Sequence, residues 1–229
     1  WLLLGLTLAG WLLQPPFGQG WLTVVFFDVG QGDAAAVHTP CGRTLLIDAG
    51  RGPEGATAGT GSRVLLPALY HLRWVPVDWL VLSHLHADHV GGAAALLEAG
   101  VVRRVVLPLA GVRTLEERQT YLTLAEVARR VEVPLVAWQR GQTLDLGCGV
   151  SLEVLHPGSG TGAEPDLGTN DRSLVLRINY RAFNLLFVGD LEAPGEEALL
   201  AGLGRASALT QLQSTVLKVA HHGSGGGST

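Results

Sequence analysis

Charge is scarce in this sequence. Only 16% of its 229 residues are Asp, Glu, Lys or Arg, the net balance is −4, and the first charged residue is Asp28. With 47% apolar residues the chain still has the makings of a large core, so it is not a disordered polyelectrolyte. The broad basic footprint of an obvious nucleic-acid binder is missing. A polyanion can be met only through local patches such as Arg103-Arg104 or Arg129-Arg130, or through metal ions, and the plain reading of both pairs is solvated surface. Methionine is absent, so Trp1 reads as the start of a processed product or of a piece of something longer. Cysteine is nearly absent. Cys41 and Cys148 make no C-x-x-C pair, which excludes a zinc ribbon or a thioredoxin-type motif and leaves one disulfide or two free thiols.

What is present begins with an uncharged, mostly apolar stretch from Trp1 to Leu13. A full membrane span needs about 20 such residues, and a signal peptide wants a basic start that is not there. The stretch reads as the last turns of a membrane helix, as a signal core, or as a buried core helix; the first is preferred. Gln14-Pro15-Pro16-Phe17-Gly18 breaks it into a linker. Residues 1–20 are therefore expected to be a helix remnant plus linker, and 21–229 a single domain, the number that this length suits.

Apolar runs at 22–28, 34–38 and 44–48 predict an antiparallel meander, with the outer two apolar enough to lie inside. Residues 51–61 are a Gly-rich loop, and 63–72 have helical spacing. A buried strand at 79–82, a helix from Ala93 to Ala99, a strand at 104–107 and a helix over 114–130 follow. The second half predicts strands at 151–155, 173–180, 184–188 and 215–220, with a helix around 194–200. Alternating strands and helices in both halves suit a layered α/β fold with helices outside two packed sheets.

The chemistry is concentrated at the end of the 79–82 strand. His84, His86, Asp88 and His89 fall within six residues, a density of ligands with no packing purpose that apolar residues would not serve better. Neutral imidazoles and carboxylates suit divalent Zn, Mn or Fe. Positions 84 and 86 face the same way on an extended strand end, while Asp88 and His89 come where the chain turns into a helix, placed for a second ion about 3.5–4 Å from the first. Gly91-Gly92 lets the backbone pack closely beneath. Asp190, directly after the strand LLFVG, is the candidate bridge, and His221 at the end of VLKVA the candidate last ligand. Strand ends on one side of a sheet are where α/β sites assemble.

Together, His84-x-His86-x-Asp88-His89, Val188-Gly189-Asp190 and His221-His222-Gly223-Ser224 resemble the metallo-β-lactamase superfamily. The runs Phe27 to Ala34, Leu46 to Gly50, Asn170 to Leu176 and Leu217 to Ser224 narrow this to the C-terminal hydrolase domain of ComEC-type DNA-internalisation competence proteins, a likeness over residues 22–229. It implies an αββα four-layer sandwich, with a terminal element after the HHGS run that this chain stops short of. It implies two divalent ions, Zn or Mn, and no nucleotide cofactor. His84, His86 and His156 would hold one ion, Asp88, His89 and His221 the other, with Asp190 between them. Asp88 and Asp190 would thus be catalytic, His222 would support or transfer protons, and Asp33, Gln31, Asn170 and Asp48 would orient ligands or touch substrate, turn chemistry being the plainer reading of these four. His156 is the departure, because the family's loop histidine is matched only by Leu155-His156-Pro157. The implied activity is hydrolysis of DNA phosphodiesters, with single-stranded DNA as substrate and the membrane-embedded channel of the same parent protein as partner at the inner membrane. The competing readings are hydrolysis of a lactam, lactone, thioester or choline-phosphate ester on the same metals, or a non-catalytic scaffold domain of the channel.

Overall fold

A computed structural model of the protein describes residues 18–53, 59–109, 112–158 and 167–227. The apolar opening and the loop residues 159–166 lie outside them. Two sheets stack face to face. The first has six strands in the order β1 (Thr23–Phe26), β2 (Ala35–His38), β3 (Thr44–Ile47), β4 (Trp79–Val81), β5 (Val105–Pro108) and β6 (Leu135–Trp138). The second has five, β11 (Val216–Lys218), β10 (Phe183–Phe187), β9 (Val175–Tyr180), β8 (Val150–His156) and β7 (Thr143–Gly147).

Connection geometry sets where the helices go. β1, β2 and β3 pair antiparallel, as the meander predicts, and need only tight turns. β3 to β6 run parallel, so each step crosses over through helix. The crossovers are a π-helical turn at Gly61–Leu65 running into α1 (Leu66–Leu72), the pair α2 (Ala87–Val90) and α3 (Ala93–Glu98), and α4 (Leu115–Arg130). Thr114 starts α4 through a capping box: its Oγ1 accepts from the Glu117 amide at 3.1 Å, and Glu117 Oε2 accepts from the Thr114 amide at 2.9 Å. In the second sheet only β11 runs parallel to its neighbour, and α5 (Ala193–Leu203) and α6 (Arg205–Gln211) make that crossover.

The layers are helix, sheet, sheet, helix, an αββα sandwich with three apolar strata. Because strand side chains alternate, Leu46 packs toward α1 and α3 with Leu80 and Leu96, while Leu45 and Ile47 on the same strand pack between the sheets with Leu152, Ile178 and Phe187. Leu186 and Val188 face Leu199 on the far side. Strands buried on both faces explain why the first half reads as continuous apolar runs.

Three elements escape the sequence pattern: β6, β7 and α6. Leu135–Trp138 and Thr143–Gly147 are edge strands with mixed burial, so neither shows a clean apolar period. The two cysteines form a disulfide, Cys41 to Cys148, with Cα atoms 5.8 Å apart, which ties the β2–β3 turn to the β7–β8 turn across the two sheets. Gly91-Gly92 meets its neighbours closely. A Cβ on Gly92 would run into the Ala49 carbonyl and lie 2.7 Å from the Gly61 amide nitrogen, all of it backbone that cannot move aside. Gly92→Ala should accordingly cost about 1–3 kcal/mol, read as a lower urea midpoint at unchanged slope; a midpoint equal to the parent's would refute this packing.

Candidate metal centre

Topology carries the chemical groups to one edge of the sandwich. The parallel pair β3 and β4 ends in Asp48 and in Ser83 to His89. β2 runs against β3, so the turn before it, with Asp33, lies at the same edge. In the other sheet β10 and β11, also parallel, end in Asp190 and in His221-His222, and antiparallel β9 is entered there through Asn170 to Ser173.

His89 is the pivot. It is 0% exposed, and its Nδ1 donates to Asp48 Oδ2 at 2.9 Å. Asp48, itself 2% exposed and at φ 60°, is fixed by the Ser83 amide donating to Oδ1 at 2.7 Å. On the other side His89 Nε2 stands 3.1 Å from Asp190 Oδ2, yet neither His89 Nε2 nor Asp190 Oδ1 has a hydrogen-bond partner among the described residues. Buried polar atoms are normally satisfied, so an imidazole nitrogen that meets Asp190 only as an ion pair, with Asp190 Oδ1 left unpartnered, marks a place for a further group. Asp33, His89, Asp190 and His222 each offer one ligand atom, all within 4.8 Å of one another. His84 Nε2 lies 3.1 Å from His86 Nδ1 and 4.0 Å from Asp190 Oδ2. Two imidazole nitrogens on one tetrahedral zinc, each at about 2.0–2.1 Å, stand roughly 3.3 Å apart, so that pair is spaced as two ligands of one ion would be. The donor set, imidazoles and carboxylates only, fits divalent Zn or Mn.

Charge follows the same geometry. Burial disfavours a charged His89, but Asp48 and Asp190 on either side override it and raise its pKa to about 10. Burial would raise Asp190, and His89, then His84 and His222, instead hold it well below the usual carboxylate range. Burial, with the other histidines, keeps His84 neutral, its pKa well below the ordinary imidazole value.

The remaining expected residues separate. Asp88 Oδ2 lies 3.4 Å from His222 Nε2 at the rim. His222 and His221 both turn Nε2 toward Asp190 Oδ2, at 3.5 and 4.0 Å, and His222 is the one that joins the four-residue cluster. His221 Nδ1 lies 2.9 Å from Glu192 Oε1, which accepts from Asn170 Nδ2 at 3.0 Å. Both histidines sit at positive φ, 45° and 53°, a conformation uncommon without glycine and typical of functional turns. His156 lies at the same edge, but its Nε2 donates to the Asp171 carbonyl at 2.8 Å, which commits that nitrogen to the main chain rather than to an ion. Gln31 is exposed, outside the buried cluster. Asp33, expected only to orient or touch substrate, stands within the cluster, where it pairs with Lys218 and lies 3.3 Å from His222 Nδ1. Sequence reading missed four supporting groups: Ser83 and Ser173, whose hydroxyls lie 3.0 and 3.3 Å from His84 Nδ1, and Glu192 and Lys218. All four lie close to strand ends that the motifs already marked, which is the signal that could have found them.

A family model described as the metallo-beta-lactamase superfamily matches residues 27–227. Among curated proteins the chain is 30% identical to ComE operon protein 3 of Bacillus subtilis (strain 168) over 89% of its own length and 26% of the relative's. It is 31% identical to competence protein ComA of Neisseria gonorrhoeae over 96% of its own length and 26% of the relative's, and 28% identical to recombination protein 2 of Haemophilus influenzae over 86% and 21%. The chain thus spans about a quarter of the length of the relatives it matches. Among solved structures, a B3 metallo-β-lactamase with an active-site glutamic acid shares the fold at TM-score 0.54 and 19% identity, over 97% of this chain and 84% of that one. An archaeal metallo-β-lactamase superfamily protein from Sulfolobus tokodaii shares it at TM-score 0.52 and 17% identity, over 90% and 80%.

The pKa of His89 gives a test free of any activity. In metal-free protein its folded value, about 10, exceeds the ordinary 6.5, so the stability it contributes is complete below pH 6.5 and is lost as pH rises through about 10. Urea midpoints of chelated protein should fall across that window, and the fall should flatten in Asp48→Asn. A parent midpoint that does not change over this range would show that His89 is not held between two carboxylates.

Proposed function

Because the chain belongs to the metallo-β-lactamase superfamily, a fold that typically binds divalent metals and performs hydrolysis, we propose that it is a metal-dependent phosphodiesterase acting on DNA, in a longer membrane protein that takes up DNA. The observation that carries the reading is the pair of unpartnered buried atoms, His89 Nε2 and Asp190 Oδ1, ringed by His84, Asp33 and His222. On this reading His84 and His86 would hold one ion, and His89, Asp88 and His222 the other, with Asp190 available to both. His156 has only Nδ1 left for an ion, and His221, backed by Glu192 at Nδ1 and turned toward Asp190 through Nε2, would stand beside His222 at the second ion. Divalent ions held there supply Lewis-acid polarisation of a phosphoryl oxygen and make nearby water more acidic.

The chain's own groups set the rest. Asp48 fixes the tautomer of His89, leaving Nε2 as the inward lone pair, the usual service of a carboxylate behind a metal-binding imidazole. The hydroxyls of Ser83 and Ser173 at His84 Nδ1 do the same for that ring. Beside His84 opens a cavity of about 330 Å³ lined by Leu107, Leu109, Val112, Tyr121 and Leu135, with the buried Glu117–Arg172 ion pair at its wall. Its apolar walls suit a single unstacked base, which favours single-stranded DNA over duplex.

The substrate class also draws on the relatives, which carry the names of competence and recombination proteins. No described helix is long and apolar enough to cross a membrane; attachment to a channel would run through the apolar opening, Trp1 to Leu13, into a longer protein. Such tethering also reconciles DNA as substrate with a net charge of −4, because local concentration replaces affinity.

Purified protein loaded with Zn or Mn should cut single-stranded DNA, lose that activity to a chelator, and regain it on adding the metal back. Asp48→Asn should lower the rate roughly 10–100-fold by misorienting His89, and His86→Ala or Asp88→Ala should abolish it. If either alanine variant cuts as fast as the parent, the phosphodiesterase reading is lost; turnover of a chromogenic lactone or thioester in place of DNA would move the reading to that bond.

A further inference from the structure

The far end of the same strands carries a second constellation. His38 closes β2, Thr44 opens β3 and Asp78 precedes β4, about 13 Å from the metal end at roughly 3.3 Å per residue along β3. There a cavity of about 440 Å³ is lined by His38, Arg43, Arg73, Trp74, Asp78 and Arg103. Asp78 is the acid among these residues. It is 4% exposed and already committed: Oδ1 accepts from Arg43 at 3.2 Å and from Arg103 at 2.8 Å, and Oδ2 accepts from the Thr44 amide at 2.9 Å. One carboxylate thus stands between two guanidiniums, Arg43 and Arg103. Arg43 also approaches the Trp79 ring at 5.8 Å, and Arg104 approaches the same ring at 6.0 Å.

His38 points to what is missing. Its side chain is 2% exposed, its ring stacks on Trp74 at 4.8 Å, and Nδ1 lies 3.1 Å from the Thr44 hydroxyl. Nε2 is buried and has no hydrogen-bond partner among the described residues. Burial lowers its pKa, so the ring is neutral. Where the Thr44 hydroxyl donates to Nδ1, the ring proton sits on Nε2, an unsatisfied donor in the wall of a cationic cavity.

We propose that this cavity is an oxyanion site that holds a backbone phosphate of a nucleic-acid strand, separate from the metal centre. The donors present are guanidinium forks and one imidazole N–H, and a tetrahedral phosphate has enough oxygens to use them together. The inner donor, His38, lies beneath a rim formed by Arg43 and Arg103, whose side chains are 52% and 56% exposed. A phosphate on a thin flexible backbone can enter past that rim, whereas one fixed in a flat bilayer surface is held at it. The disulfide at Cys41 anchors the turn that carries Arg43, so the site is held in shape before a ligand arrives. The oxyanion site stands by itself; the strand as the source of the phosphate rests on the proposed function.

Chelated full-length chain is titrated with inorganic phosphate, with a short oligothymidylate and with phosphatidylglycerol vesicles, read by tryptophan fluorescence. Phosphate and oligothymidylate should both bind the parent. Arg43→Gln, Arg103→Gln and His38→Phe, the last keeping the stack on Trp74, should each weaken both roughly tenfold, with unfolding midpoints confirming that each variant folds. His86→Ala should bind like the parent. The site is overturned if the parent does not bind phosphate, if the three variants bind it as the parent does, or if His86→Ala removes binding. The strand is overturned if the variants weaken phosphate but not oligothymidylate, or if they release vesicles instead. Protein that binds phosphate here yet cuts no DNA when metal-loaded loses the phosphodiesterase reading and keeps this site.

Discussion

An imidazole clamped between two carboxylates in a dry site is the constraint on which the rest of this structure depends. Asp48 and Asp190 are each about 2% exposed and His89 is fully buried. Even with His89 protonated the three carry a net charge of −1, and His84 beside them is kept neutral by burial. Burying uncompensated charge costs several kcal/mol. Apolar packing cannot relieve that debt, but a divalent cation can, which is why the orphaned atoms at His89 and Asp190 argue for metal more strongly than the count of histidines does. The positive φ values at Asp48, His221 and His222 belong to the same account: backbone conformations that cost energy persist where the surroundings over-determine them.

That clamp is possible only because two sheets meet at one edge. Asp48 and His89 come from the first sheet and Asp190 from the second. Each sheet places a parallel pair there, β3 with β4 and β10 with β11, so both members of each pair end at the same side. Antiparallel partners close the arrangement by beginning where the pairs end, which brings in Asp33 and Ser173. The apolar strata set the sheet spacing, and the Gly91-Gly92 contact with Ala49 and Gly61 brings the histidine turn down onto the first sheet. Shifting any one of these elements by a residue would move a ligand across the sheet, because strand side chains alternate faces.

Much of this was legible in the sequence, and what was not has physical reasons. Strands such as Leu45 to Ile47 read clearly because both faces are buried. β6 and β7 did not, because edge strands expose half their residues and lose the pattern. The cluster at His84 to His89 stood out because ligand density has no competing explanation. That both His221 and His222 turn a nitrogen toward Asp190 was not readable, since it depends on two consecutive left-handed residues that no local pattern announces. The same limit applied to His156: spacing put it at the right edge, and only the Asp171 carbonyl, brought near by the 3₁₀ turn Asn170–Arg172, shows that one of its nitrogens is taken. The pairing of Cys41 with Cys148, separated by 107 residues, depends on tertiary contact between two turns that no local signal announces.

Composition offers no broad basic footprint, and an average over the chain hides where its charges sit. The net charge of −4 is a sum over a molecule whose charges are segregated. Acidic ligands gather at one end of β2, β3 and β4, and arginines at the other. The two ends lie about 13 Å apart, more than the screening length of about 8 Å at physiological salt, so neither cancels the other's field. A phosphate near Arg43 and Arg103 therefore feels a cationic surface regardless of the carboxylates beyond the sheet. One near Asp190 meets repulsion unless cations already occupy that edge. On the proposed reading, polyanion handling by such a chain would rest on where its few charges sit along three short strands, and a metal would make the acidic end hospitable to the same kind of ligand as the basic one.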